Sequence, residues 1–184
     1  MTSMRDDVIA QMRAVRREYD QGLSPGDRAV LRRCREPREL LLEGAFWRLA
    51  SKAREVAPTS LATVVFLFAA GDAARGEGRS FGRFLNRHLA RGKKPSAGAT
   101  LRFRRLLAAP DTDALATRLR RLLASLQAPL DWGVLGRDLD QWQRSRKGAE
   151  AVFRQWAQDF YAPIYESAKE PSTGGATESK ESEG

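Results

Sequence analysis

Between Phe81 and Ala109 the sequence FGRFLNRHLARGKKPSAGATLRFRRLLAA sets six arginines, two lysines and the chain's one histidine among aliphatic and aromatic residues. The chemistry open to such a stretch is capture of polyanions, because guanidinium stays charged and forks onto phosphate oxygens. At 100° per residue, Phe81, Phe84, Leu85 and Leu89 share one side of a helix, while Arg83, Arg87 and Arg91 advance along the other. In a second helix Ala99, Phe103, Leu106 and Leu107 form the apolar arc and Arg102, Arg104 and Arg105 cover the opposite one. A Gly92-Lys93-Lys94 turn joins the two helices. Arginine faces around a flexible turn suit a cradle for a phosphate backbone better than a catalytic pocket.

Residue types that catalyse are scarce. One cysteine, Cys34, and one histidine, His88, allow neither a disulfide framework nor a Cys/His-rich zinc cluster. Cys34 ends a helical pattern and reads as a half-buried small hydrophobe. His88 projects beside Phe84 and Leu85 and reads as a hydrogen-bonded core histidine. Any catalysis would rest on Asp and Glu residues that look like helix caps and surface charges. Asp138 and Asp140 are two apart, so on a helix they diverge. Gly76-Glu77-Gly78 is not followed by a GK[ST] sequence and reads as a turn without a nucleotide site. No catalytic residue, metal or cofactor is expected.

The net charge is +9 over 184 residues, but residues 166–184 hold five Glu against two Lys, so residues 1–165 carry +12. Such an excess draws in nucleic acid or an acidic membrane surface. A competing explanation is compositional: Arg far outnumbers Lys and Ala is abundant, as in many proteins of GC-rich genomes. No secretory signal pattern opens the chain, which is charged from its fifth residue, so a cytoplasmic protein is expected. The longest apolar run, Leu61 to Ala70, is half a membrane span and predicts a buried core helix.

The elements that must position the arginines are helices, with almost no strand signal between them. Val8, Met12, Val15 and Tyr19 make the inner stripe of a first helix ending at Gln21-Gly22. Ser24 is a candidate N-cap and Pro25 the first residue of a second helix, with Pro37 just past its end. A third pattern runs from Leu40 to Ala53, with Leu42, Ala45, Phe46, Leu49 and Ala53 inward, and Pro58-Thr59-Ser60 caps the apolar helix after it. Residues 71–80 form a loop. Pro110-Asp111-Thr112-Asp113 starts a helix lined by Leu115, Leu119, Leu122, Leu123 and Leu126. Asp131 can cap the next, which carries Trp132, Leu135, Leu139 and Trp142 on one side. Arg144 to Gly148 is a basic turn, and a last helix buries Val152, Trp156 and Phe160.

The expected fold is all-α: a helical bundle of two small subdomains, about eight to nine helices, with a disordered acidic C-terminal tail. The N-terminal subdomain covers 1–91, a connector 92–98, the C-terminal subdomain 99–165 and the tail 166–184, which has no apolar periodicity. The outward cations are the candidate nucleic-acid-binding residues. They are Arg32 and Arg33; Arg48 and Lys52; Arg83, Arg87, Arg91, Lys93 and Lys94; Arg102 and Arg105; Arg118 and Arg121; and Arg144, Arg146 and Lys147.

The order GDRAVLRRCREPREL, AFWRLA, SFGRFL, TLRFRRLLAAPDTDALATRLRRLLASL and LDWGVLGRDLDQW resembles the CasB family, the small subunit of the type I-E CRISPR surveillance complex called Cascade. The resemblance covers about residues 5–165. It implies a non-catalytic protein that sits as two adjacent copies beside the large and backbone subunits. Its basic surface would hold the displaced non-target DNA strand and the backbone of the guide RNA/target duplex, with no membrane partner. From the residues alone two other readings stay open, a helix-turn-helix DNA-binding regulator and a structural adaptor in another ribonucleoprotein. The arginines are spread over at least four helices instead of one recognition helix, which weighs against the regulator.

Overall fold

A helix that is apolar all round must sit inside the protein, and α4 (Pro58–Phe68) does: every residue from Ser60 to Phe68 is buried. Its two inward hydroxyls are satisfied through Gln143, which accepts from Ser60 Oγ at 3.3 Å and donates to Thr63 Oγ1 at 2.8 Å. The computed structural model describes residues 4–70 and 80–162. The expected loop up to Arg79 and the expected disordered tail at 166–184 lie outside these residues.

Around α4 the described residues form α1 (Met4–Arg17), a π turn (Glu18–Gly22), α2 (Pro25–Arg33), a 3-10 helix (Pro37–Leu42), α3 (Gly44–Ala50), α5 (Phe81–Leu89), α6 (Ala97–Leu107), α7 (Thr112–Leu126), α8 (Trp132–Arg144) and α9 (Arg146–Tyr161). No strand occurs among them, and none of these helices is long and apolar enough to cross a membrane. The all-α fold is as the periodicity predicts. α1 packs on α8, α8 on α9, α5 on α9, and α4 on α7, α8 and the 3-10 helix. Helices from both sides of the 92–98 connector therefore meet in one continuous core.

Local signals placed most helix starts. Ser24, Asp111 and Asp131 each accept backbone N–H bonds of the helix they precede. At α4 the expected side-chain cap is absent. The N-cap is Ala57, and Pro58 at the first helical position has no N–H to satisfy. The expected single helix over Leu40–Ala53 is split, because the chain is extended at Glu43 between the 3-10 helix and α3. That break turns Leu42, expected inward, to 85% exposure. The basic turn at 144–148 is one residue long: Ser145 is extended, and its Oγ accepts from Gly148 N, already inside α9. A Cβ on Gly148 would lie 2.2 Å from the carbonyl of Gln141, so this tight corner requires glycine.

Two arginines of α1 reach α8 through contacts with no counterpart in local sequence, Arg13 by an ion pair and Arg16 through the ring of Trp132. Arg13 and the buried Asp131 form a two-bond pair at 3.2 and 2.5 Å, which also raises the Arg13 pKa. The buried guanidinium of Arg16 lies between Phe68, Trp132 and Tyr19, with centroids 4.9 to 5.5 Å away, and donates to Asp20 at 2.8 Å. Asp131→Ala loses the α8 cap and the partner of Arg13 together. The expected cost is about 1–3 kcal/mol, a cap being worth about 1 and a charged hydrogen bond about as much again. Asp131→Asn, which keeps a capping oxygen, should fall between Ala and wild type in urea unfolding.

Candidate nucleic-acid interface

Helix C-termini leave carbonyls without partners and carry partial negative charge, and α7 supplies arginines to two of them. Arg120 donates to the carbonyls of Cys34 and Arg32, both at 2.9 Å, with its guanidinium 4.2 Å from the centroid of Phe66. Arg118 donates to the carbonyl of Arg105 at the end of α6. Each bond docks a helix end whose last turn is itself basic: Arg32 and Arg33 on α2, Arg104 and Arg105 on α6. The structure thus ties the basic ends of α2 and α6 to α7, through Arg120 and Arg118 respectively, with Arg102 one turn back from Arg105 on α6. Arg32, Arg33, Arg102, Arg104, Arg105 and Arg121 are exposed, and no acidic partner meets them among the described residues.

A second basic group follows α5. Arg87, Arg91, Lys93 and Lys94 are exposed without an ion pair among the described residues, whereas Arg83 reaches Asp159 of α9 at 3.8 Å. Elsewhere charge is already matched. Glu18 meets Arg48 at 3.2 Å and Lys52 at 3.8 Å, and Arg48 also donates to the carbonyl of Gly22 at 2.7 Å, which fastens the π turn to α3. Arg144 is bonded to Asp140 at 2.7 Å and Arg146 to Glu150 at 3.1 Å, while Lys147 of that corner is exposed and has no ion pair among the described residues.

Arg120, the residue that joins α2 to α7, is not among the cations expected at the interface. Nothing local marks it, because its acceptors lie 86 and 88 residues away. Arg35, close to Arg32 and Arg33, is also exposed, as is Arg104 on the arginine face expected for its helix. Asp138 and Asp140, expected at the surface, are both 4% exposed. Asp138 accepts from Trp156 Nε1 at 2.7 Å and Arg137 at 2.6 Å, so it anchors α9 to α8.

The one cysteine and the one histidine have structural surroundings. Cys34 is buried, its thiol directed at the carbonyl of Val30 at 3.7 Å, and burial together with Glu43 and Glu39 raises its pKa, which keeps it a thiol. His88, expected as a hydrogen-bonded core residue, is instead only partly buried, without a hydrogen bond among the described residues, and packs on Phe84 with centroids 4.7 Å apart; burial, then the charge of Arg87, lowers its pKa, so it is neutral at pH 7. Among the described residues no three His, Cys, Asp or Glu side chains could hold a metal. A cavity of about 430 Å³ lies between α1 and α8, but its arginines, Arg13 and Arg137, are held by Asp131 and Asp138. Chemically, exposed guanidinium groups without an ion pair are suited to contacting anions.

Solved structures share this architecture. A chain of E. coli Cascade, crystallised bound to a PAM-containing double-stranded DNA target, is 28% identical with a TM-score of 0.59, over 80% of this chain and 94% of that one. CasB from Thermobifida fusca is 25% identical with a TM-score of 0.63, over 85% and 97%. A chain of a CRISPR RNA-guided surveillance complex, 22% identical with a TM-score of 0.57 over 91% and 98%, shares the fold. No curated protein matches the chain in sequence. The model of the CRISPR-associated protein Cse2 family matches residues 27–161, through α2 to α9, and with the CasB likeness it establishes that the chain belongs to the Cse2 (CasB) family.

Proposed function

We propose that this protein is the small, non-catalytic subunit of a type I-E CRISPR RNA-guided surveillance complex, and that its basic surface holds nucleic-acid backbone, above all the displaced non-target DNA strand. The observation that carries this reading is the set of exposed arginines on α2, α6 and α7 that have no ion pair among the described residues, in a chain of this family. Opening a duplex to pair one strand with a guide RNA exchanges one helix for another of similar stability, so modest backbone contacts tip the balance. Guanidinium binds phosphate without reading bases, and it can stack on an unpaired base, which suits a subunit serving any guide. Its partners would be the large and backbone subunits, a second copy of itself, the guide RNA/target duplex and the displaced strand.

Tagged protein should co-purify with guide RNA and the other subunits. Alone, it should bind single- and double-stranded DNA weakly, with affinity falling roughly tenfold or more between about 50 and 200 mM salt if several phosphates are contacted. Preference for one short motif, surviving high salt, would instead mark a sequence-reading regulator.

A further inference from the structure

We propose that the turn after α5 is a preformed phosphate contact, locked in shape by the side chain of Asn86; this rests on the reading that the basic surface binds nucleic-acid backbone. Arg91 and Gly92 have positive φ, +56° and +71°. The amide of Lys93 donates to the carbonyl of Ala90 at 3.1 Å. Two successive positive-φ residues closed by that bond are the marks of a type I′ turn, in which Asn-Gly is the favoured pair. Here arginine stands where asparagine would be less strained, because its Cβ crowds the backbone in the left-handed region. Strain held at an exposed cation points to use of that cation. The other left-handed non-glycine residue described, Gln127, likewise stands at a helix end, that of α7, but is uncharged.

Asn86 is the independent observation. It is 4% exposed, and its backbone carbonyl accepts from Ala90 N at 2.8 Å and Gly92 N at 3.4 Å. Its side-chain amide donates to the carbonyl of Lys93 at 3.3 Å and to that of Phe160 in α9 at 2.6 Å. One buried residue thus meets the turn at three points, two through its backbone carbonyl and one through its side-chain amide, and the same amide ties the turn to the neighbouring helix. Exposed Arg91, Lys93 and Lys94 project from backbone already ordered before a strand arrives, which removes an entropic cost of binding. At the tip, a Cβ on Gly92 would meet nothing within 4 Å, so that end of the turn can be altered without touching the core.

The test uses the full chain, fluorescence anisotropy on a labelled oligothymidylate, and thermal melting in parallel. Replacing Arg91, Lys93 and Lys94 together by Ala removes the cations. Asn86→Leu cuts the latch from the core side, and Gly92→Val disfavours the turn from the solvent side without loss of charge. The triple variant should bind about tenfold more weakly and flatten the slope of log K against log salt by about 2, at roughly 0.7 per phosphate on a single strand. Each latch variant should bind about three- to fivefold more weakly, with no further loss when added to the triple variant. An equal loss in both backgrounds would make Asn86 merely structural and overturn the proposal. So would wild-type affinity in Gly92→Val while the triple variant is weakened, even if Asn86→Leu fails to fold. A triple variant binding as tightly as wild type would overturn it by a different route, removing this turn from the nucleic-acid surface altogether.

Discussion

Trp156→Ala should destabilise the protein by about 3–5 kcal/mol, the range for emptying a large aromatic site in a core. The indole is fully buried, 4.7 Å from the ring of Phe81 and in edge contact with Trp142 at 6.2 Å between centroids. Its Nε1–H donates to the carboxylate of Asp138, itself buried, so truncation opens a cavity and also takes a donor from a buried anion. Trp156→Phe, which refills much of the space but not the hydrogen bond, should cost about 1–3 kcal/mol. Trp142, which periodicity places inward with Leu135 and Leu139, is only partly buried. Trp142→Ala should therefore cost less than Trp156→Ala in chemical denaturation, and the reverse order would contradict this packing.

Reversing the charge of Arg102 and Arg105 together to Glu should shorten the lifetime of the opened DNA target by at least about tenfold in a reconstituted complex, with the melting temperature of the protein lowered only slightly, by the loss of a cation at the negative end of α6. Both side chains are exposed, and the one structural bond at these positions is accepted by the backbone carbonyl of Arg105, which the substitution keeps. An exposed charge pair is worth about 1 kcal/mol at 4 Å in water, so turning two attractions into repulsions exceeds the 1.4 kcal/mol that corresponds to tenfold. The loss should be larger on relaxed than on negatively supercoiled DNA, because supercoiling supplies opening energy that the contacts otherwise provide. Equal lifetimes on relaxed DNA would remove this pair from the strand-holding surface. Failure to assemble would mean that these arginines bind protein or guide RNA.

What the sequence by itself determined is what depends on neighbours a few residues apart. The stripe Val8, Met12, Val15 and Tyr19 is buried as its spacing requires, and the caps at Ser24, Asp111 and Asp131 act on N–H groups two or three residues onward. The all-round apolar run of α4 has no other place than the core. Periodicity also separates Arg102 and Arg105 from Phe103 and Leu106, so the exposed rows of the candidate interface were legible. Tertiary structure decided which cations remain unmatched. Glu18 meets Arg48 from 30 residues away, Asp131 meets Arg13 from 118, and Arg120 reaches carbonyls on α2 across 86 and 88. It likewise buried Asp138 and Asp140 and turned Leu42 outward where the chain breaks at Glu43. Helical period records which side of a helix a residue occupies, but what that side faces is set by the docking of distant helices, which no local spacing encodes.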